Sequence, residues 1–121
     1  MVDDRPLHRL PRKLRGLRHK LLREETRETF KALREQDLAA VLQEITDIQY
    51  VLDGLYLTLG LHELKDAAFA EVHRANMSKL MPDGTVKRRE DGKVLKGPNF
   101  SPPDLRPIID QYLKSKELGL A

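Results

Sequence analysis

The sequence contains no cysteine and no tryptophan, and only 5% of its residues are aromatic. The missing cysteines exclude disulfides, cysteine-ligated zinc and thiol catalysis. Few aromatics beside 34% charged residues and many leucines argue for helices with solvated faces rather than a sandwich or barrel. No apolar run approaches the roughly 20 residues of a membrane span. The stretch Met1 to Pro11 is charged and holds two prolines, unlike a signal peptide. A cytoplasmic protein with no membrane partner is the expectation. The formal net charge is only +3, with both signs spread along most of the chain. No concentrated basic face stands out, so no nucleic-acid polymer is expected as a partner. There is no Walker-type glycine loop, no G-x-S-x-G and no paired-histidine motif, and His8, His19, His62 and His73 show no metal-ligand spacing.

At 121 residues the chain fits one domain, expected over 12–121 behind an extended arm at 1–11 that carries Pro6 and Pro11. Two helical segments follow, 12–35 and 37–59, with Asp37 as an N-cap between them and Gly60 at the C-terminal cap. A third helix is expected from Glu63 to Leu80 and a fourth from Pro103 to Lys116. The fourth carries Asp104 in its acidic first turn and Leu105, Ile108, Ile109 and Leu113 at helical spacing. Between them lie about 22 residues, Met81 to Pro102, with the turn dipeptides Asp83-Gly84 and Asp91-Gly92. Val86 and Val94 flank the second turn and suit a small hairpin. The segment is basic, through Lys87, Arg88, Arg89, Lys93 and Lys96. Long loops in compact domains are often functional, although a solvated loop is the simpler reading. The fold expected is all-α, a four-helix-type bundle with this long basic loop between its third and fourth helices.

The informative feature lies on the helical wheel. Leu14, Leu17, Leu21 and Ala32 cluster on one side of the first helix, and Glu25 and Glu28 fall inside the same arc. The second helix has a broad apolar face of Leu38, Val41, Leu42, Ile45, Ile48, Val51, Leu52 and Leu55, with Glu44 within it and Asp47 at its edge. Acids on a core-facing stripe lose solvation and need compensation. Each pair is spaced i, i+3 and projects to one side. A short turn making the helices antiparallel lets the two pairs face each other. A hard divalent cation would relieve the repulsion. The competing explanation is ion pairing with Arg18, Arg23, Arg27 or Arg34. On the third helix, Asn76 falls among Phe69, Val72 and Leu80, either as a hydrogen-bonded core amide or as a ligand contact.

These residues resemble a known family. Glu24-Glu25-Thr26-Arg27-Glu28, followed by Glu44-Ile45-Thr46-Asp47, is similar to the E-x-x-E … E-x-x-D signature of the all-α NTP pyrophosphohydrolases, the MazG-like superfamily. The run Phe69 to Lys79 resembles the EVHRxNMxK segment of its MazG-like and dimeric dUTPase-like branch. Asp91 to Pro98, with Pro102-Pro103-Asp104, resembles the DGKxxKxP … PPD tail of the same proteins. The match covers roughly residues 12–110. It departs from the family pattern in the Leu7-His8-Arg9-Leu10 arm and in the short link between the acidic pairs.

The resemblance implies a helical enzyme that hydrolyses a nucleoside triphosphate, NTP or dNTP, to monophosphate and pyrophosphate, as in nucleotide-pool house-cleaning. It implies Mg²⁺, with Mn²⁺ an acceptable substitute, held by Glu25, Glu28, Glu44 and Asp47. Glu24 and Glu25 are the candidates for orienting or deprotonating water. Asn76, Lys79, Lys93 and Lys96 match positions that meet nucleotide or phosphate. Relatives with one motif set imply a homodimer or higher homo-oligomer, and a second helix apolar over more than half its circumference wants covering on most sides. Two other readings stay open: a helical interaction module with the acids in ion pairs, and a nucleotide-binding regulator without turnover.

Overall fold

The computed structural model describes residues 11–119. The expected arm lies outside the described residues but for Pro11. Helix α1 spans Arg12–Glu35 (24 residues) behind Pro11, whose fixed φ suits a helix start. It ends where Gln36 adopts the left-handed region (φ 54°), with its N–H donating to the Leu33 carbonyl at 3.2 Å. A side chain there costs on the order of 1 kcal/mol, but it reverses the chain within two residues. Asp37 then opens α2, Leu38–Leu59 (22 residues), by accepting from the Ala40 N–H at 3.1 Å, the expected N-cap. Gly60 closes α2 at φ 69°, a conformation that favours glycine.

The link of Gln36 and Asp37 makes α1 and α2 an antiparallel hairpin, and these two helices pack along each other. Ala32 is buried between its neighbours, and Thr29 is the buried polar residue, its hydroxyl donating to the Glu25 carbonyl at 2.7 Å. The broad apolar arc expected on the second helix divides. Ile48, Val51, Leu52 and Leu55 are half-buried. Leu38, Leu42 and Ile45 are left 82, 62 and 48% exposed. Leu14 and Leu17 of α1 are likewise exposed.

The chain forms two compact units that divide between Glu63 and Leu64. A 3-10 turn, His62–Leu64, precedes α3, Lys65–Met77, shorter at both ends than the helix expected over 63–80. Its buried residue is Ala75, while Phe69, Val72 and Asn76 are exposed. Asn76 is therefore no core amide, because the small Ala75 takes the packed position. A return segment runs back past the end of α3. The Gly97 N–H donates to the Lys79 carbonyl at 2.8 Å, the Ser101 N–H to Ser78 Oγ at 2.9 Å, and Arg74 to the Pro102 carbonyl at 3.1 Å. Gly97 is required by that approach, since a Cβ would sit 2.4 Å from the Leu80 carbonyl oxygen. Helix α4, Arg106–Glu117, starts later than expected. Asp104 lies before it rather than in its first turn. Tyr112 is the buried anchor of α4, with Ile108, Ile109 and Leu113 half-buried.

The basic loop does fold back as a hairpin, but a minimal one. Arg88 and Val94 form a single antiparallel bridge, with the Arg89 N–H donating to the Lys93 carbonyl at 2.8 Å. The pairing is too short for named strands, and the described residues are otherwise all-α. The all-α class and its four helices are as expected. No helix among the described residues is long and apolar enough to cross a membrane.

Glu71 ties α3 to the return segment. It accepts from Arg74 Nε at 2.7 Å and from the Asp104 N–H at 2.8 Å. The Arg74 hydrogen bond first, and the Asp104 N–H second, lower its carboxyl from the ordinary 4.5 to about 2. A depressed acid contributes stability above its unfolded pKa and loses it as pH falls through the folded value. Helical signal of the second unit should therefore weaken progressively between about pH 5 and pH 2, and Glu71→Gln should flatten that dependence. Acid titration followed by amide exchange in α3 checks this; an unchanged profile in the variant removes Glu71 as the cause.

Candidate metal and phosphate site

The hairpin register positions the acids. Measured from the link, Glu28 lies nearly level with Glu44, and Glu25 with Asp47, so two i, i+3 pairs on antiparallel helices face each other. One carboxylate oxygen from each of Glu25, Glu28 and Glu44 lies within 4.8 Å of the others. Asp47, half-buried, stands outside that triad, but its charge acts on both Glu25 and Glu44. Glu24 is exposed beside the cluster.

The cluster is electrostatically strained. Glu25 is pushed up from its ordinary value, first by loss of solvation and then by the charges of Glu28 and Asp47. Glu44 is pushed up as well, first by loss of solvation, then by a hydrogen bond with Glu28 and by the neighbouring charges. Buried oxygens of both groups, Glu25 Oε2 and Glu44 Oε2, have no hydrogen-bond partner. The Thr29 hydroxyl cannot help, because its proton is committed to a backbone carbonyl. Nor do arginines neutralise the acids: no ion pair among the described residues joins Arg18, Arg23, Arg27 or Arg34 to this cluster, while Arg74–Glu71 and Arg89–Asp91 are paired elsewhere. Carboxylate oxygens without donors are relieved by taking up a proton or by binding a cation. A hard divalent ion that takes oxygen ligands fits this donor set.

The other expected site residues lie in the second unit. Asn76 and Lys93 are exposed, and Lys79 is half-buried. The Lys96 ammonium rests over the Phe100 ring, 4.7 Å from its centroid. Of the remaining loop cations, Arg88 donates to the Gly92 carbonyl and Arg89 pairs with Asp91, so both are engaged in holding the hairpin. By sequence alone Arg18 is a candidate ion-pair partner of the acids. In the structure its guanidinium packs against Gly54. The available signal was Gly54 itself, a glycine inside a helix where alanine would be more stable.

A helical hairpin that gathers acids of an E-x-x-E and an E-x-x-D pair resembles the all-α nucleotide pyrophosphohydrolases. Comparison with known families agrees: residues 3–76, more than half of the chain, match the model of phosphoribosyl-ATP pyrophosphohydrolase. The chain belongs to this family, and so to the all-α MazG-like superfamily of nucleotide pyrophosphohydrolases. No curated protein matches it.

Without divalent cation, Glu44→Gln should raise the melting temperature at pH 7 by on the order of 5 °C, because it removes a desolvated charge from a repelling group. The same variant should lose most of the stabilisation that added Mg²⁺ gives the wild type. Thermal scans with and without Mg²⁺ measure both. A variant less stable than wild type without metal would mean that Glu44 is held by ordinary pairing.

Proposed function

We propose that this chain hydrolyses the anhydride between the α and β phosphates of a nucleoside triphosphate, releasing the monophosphate and pyrophosphate. Within that class the family's description names phosphoribosyl-ATP, favoured by a match spanning both acid-bearing helices. A broader NTP or dNTP preference is favoured by the 69–79 and 91–104 segments, most of which lie beyond the matched residues. The observation that carries the proposal is the acidic triad with its two buried, partnerless oxygens.

Glu25, Glu28 and Glu44, with Asp47 at the margin, would hold Mg²⁺ or Mn²⁺. Bound there, the ion supplies positive charge against the phosphate oxygens and acidifies coordinated water. In the reaction, water attacks the α-phosphorus in line with the departing pyrophosphate. A new P–O bond forms as the α–β bridging bond breaks. A carboxylate, Glu24 or Glu25, accepts the proton that the water loses. Asn76, Lys79, Lys93 and Lys96 meet the nucleotide, the lysines offsetting charge on the leaving pyrophosphate. Residues 12–121 act as one cytoplasmic enzyme domain behind the arm. The exposed stripe of Leu38, Leu42 and Ile45 is covered by a second copy, since a hairpin of two helices encloses little core by itself.

The test is release of pyrophosphate from a panel of phosphoribosyl-ATP, NTPs and dNTPs with Mg²⁺. Monophosphate plus pyrophosphate is expected; diphosphate plus phosphate would place the cleavage elsewhere, and tight binding without product would indicate a regulator. Glu28→Gln and Asp47→Asn should each lower turnover at least 100-fold while leaving helical content intact. Near-normal activity in either variant excludes that residue as a ligand. Lys93→Ala and Lys96→Ala should weaken triphosphate binding more than monophosphate binding, measured by titration; equal losses would place these lysines away from the β and γ phosphates. Light scattering at low micromolar concentration should show at least a dimer, and an active species of monomer mass would refute the assembly.

A further inference from the structure

A groove of about 450 Å³ opens beside the hairpin interface in the first unit. Leu21, Val51 and Leu57 form its walls, so it is largely apolar. Arg18 lies along it with its guanidinium against Gly54, where a Cβ would come within 2.7 Å of Nη1. Arg18 Nε is buried and has no hydrogen-bond partner. Tyr50 stands at the groove with 82% of its surface exposed. Asp53 also lines it and accepts from Gln49 Nε2 at 2.9 Å.

The position relative to the acids is informative. Arg18 precedes Glu25 by seven residues on α1, and Gly54 follows Asp47 by seven on α2. Seven residues are two helical turns, about 10 Å along the axis. The groove therefore lies on the same hairpin as the carboxylates, at a distance on the scale of the ribose and base that follow an α-phosphate.

We infer that this groove is a purine subsite, with Arg18 donating to the N7 edge of the base and Tyr50 stacking on its face. This rests on the nucleotide pyrophosphohydrolase reading. Three features select a base over a second phosphate. The walls are apolar, which suits a flat aromatic ring and disfavours a desolvated anion. The buried N–H of Arg18 lacks an acceptor, and a planar guanidinium is matched by the N7 of either purine, with O6 completing the fork in guanine. An exposed tyrosine ring offers the stacking platform that bases use. Pyrimidines have no N7 and gain least. Gly54 is the permissive element: only a glycine leaves room for the guanidinium at this depth, which accounts for a helix-weakening residue in mid-helix.

The test compares GTP with 7-deaza-GTP, which differs only in the missing N7 acceptor. In the wild type, KM for 7-deaza-GTP should exceed that for GTP by roughly 10- to 100-fold, with kcat little changed. In Arg18→Gln the two substrates should have equal KM, and UTP should be nearly unaffected. Gly54→Ala keeps the charge but displaces the guanidinium tip, a shift a flexible side chain makes without unfolding the helix; it should copy Arg18→Gln. A wild type that treats GTP and 7-deaza-GTP alike overturns the inference, as does an Arg18→Gln variant that loses GTP and UTP equally. Binding separates this from failure of the hydrolase reading. Without Trp, tyrosine dominates the fluorescence, and GMP should quench it in the wild type without Mg²⁺ or turnover. Quenching should fall at least 10-fold in apparent affinity for 7-deaza-GMP and for Arg18→Gln, and disappear in Tyr50→Ala. Equal GMP binding by wild type and Arg18→Gln would refute the subsite even if no nucleotide were hydrolysed.

Discussion

Mutual repulsion among carboxylates that lie partly out of water is the constraint around which the first unit is built. Half-buried Glu25 and Glu44 converge with the exposed Glu28 on the helical hairpin. Loss of solvation and like charge push Glu25 and Glu44 in the same direction. No arginine among the described residues relieves them, and two of their oxygens lack donors. Such a cluster is relieved by a shared proton, as in the hydrogen bond between Glu44 and Glu28, or by a cation that supplies what water no longer does.

The core that α1 and α2 enclose is small, and Leu38, Leu42 and Ile45, on the side of α2 away from Glu44, remain exposed. The two-residue link at Gln36 and Asp37 matters beyond closing a turn. A longer connection would leave the helices freer to slide, and a shift of one residue would turn an acid out of the cluster. The strain at Gln36 and the cap at Asp37 together hold the register on which convergence depends.

The second unit follows a different logic. Leu64, Ala75 and Tyr112 are its buried apolar residues, and hydrogen bonds tie the end of α3 to the return segment through Glu71, Arg74, Ser78 and Gly97. Its hairpin uses Arg88 and Arg89 to brace its own tip, while Lys96 rests over the Phe100 ring and Lys93 is exposed. A lysine is a compact charge on a flexible stem and suits a phosphate that arrives and departs.

Much of this was legible in the sequence. The period of the apolar residues located α1 and α2, and Asp37 and Gly60 marked their ends, because caps are local chemistry. The misfit of Glu25, Glu28, Glu44 and Asp47 with their apolar arcs revealed the candidate site, since a wheel records which residues share a face. Other features depend on contacts between segments, which no periodicity encodes. Asn76 sits on an apolar-looking side, yet Ala75 takes the buried place. Asp104 has the composition of a helix start, but its N–H is committed to Glu71. Arg18 looked like a partner for the acids two turns away. Only the antiparallel packing of α1 on α2 showed its guanidinium against Gly54 with a buried nitrogen left open. The sequence by itself determined which residues could form helices and which acids shared a face; the tertiary structure decided which of them lost water and which lost partners, because desolvation depends on what the rest of the chain brings alongside.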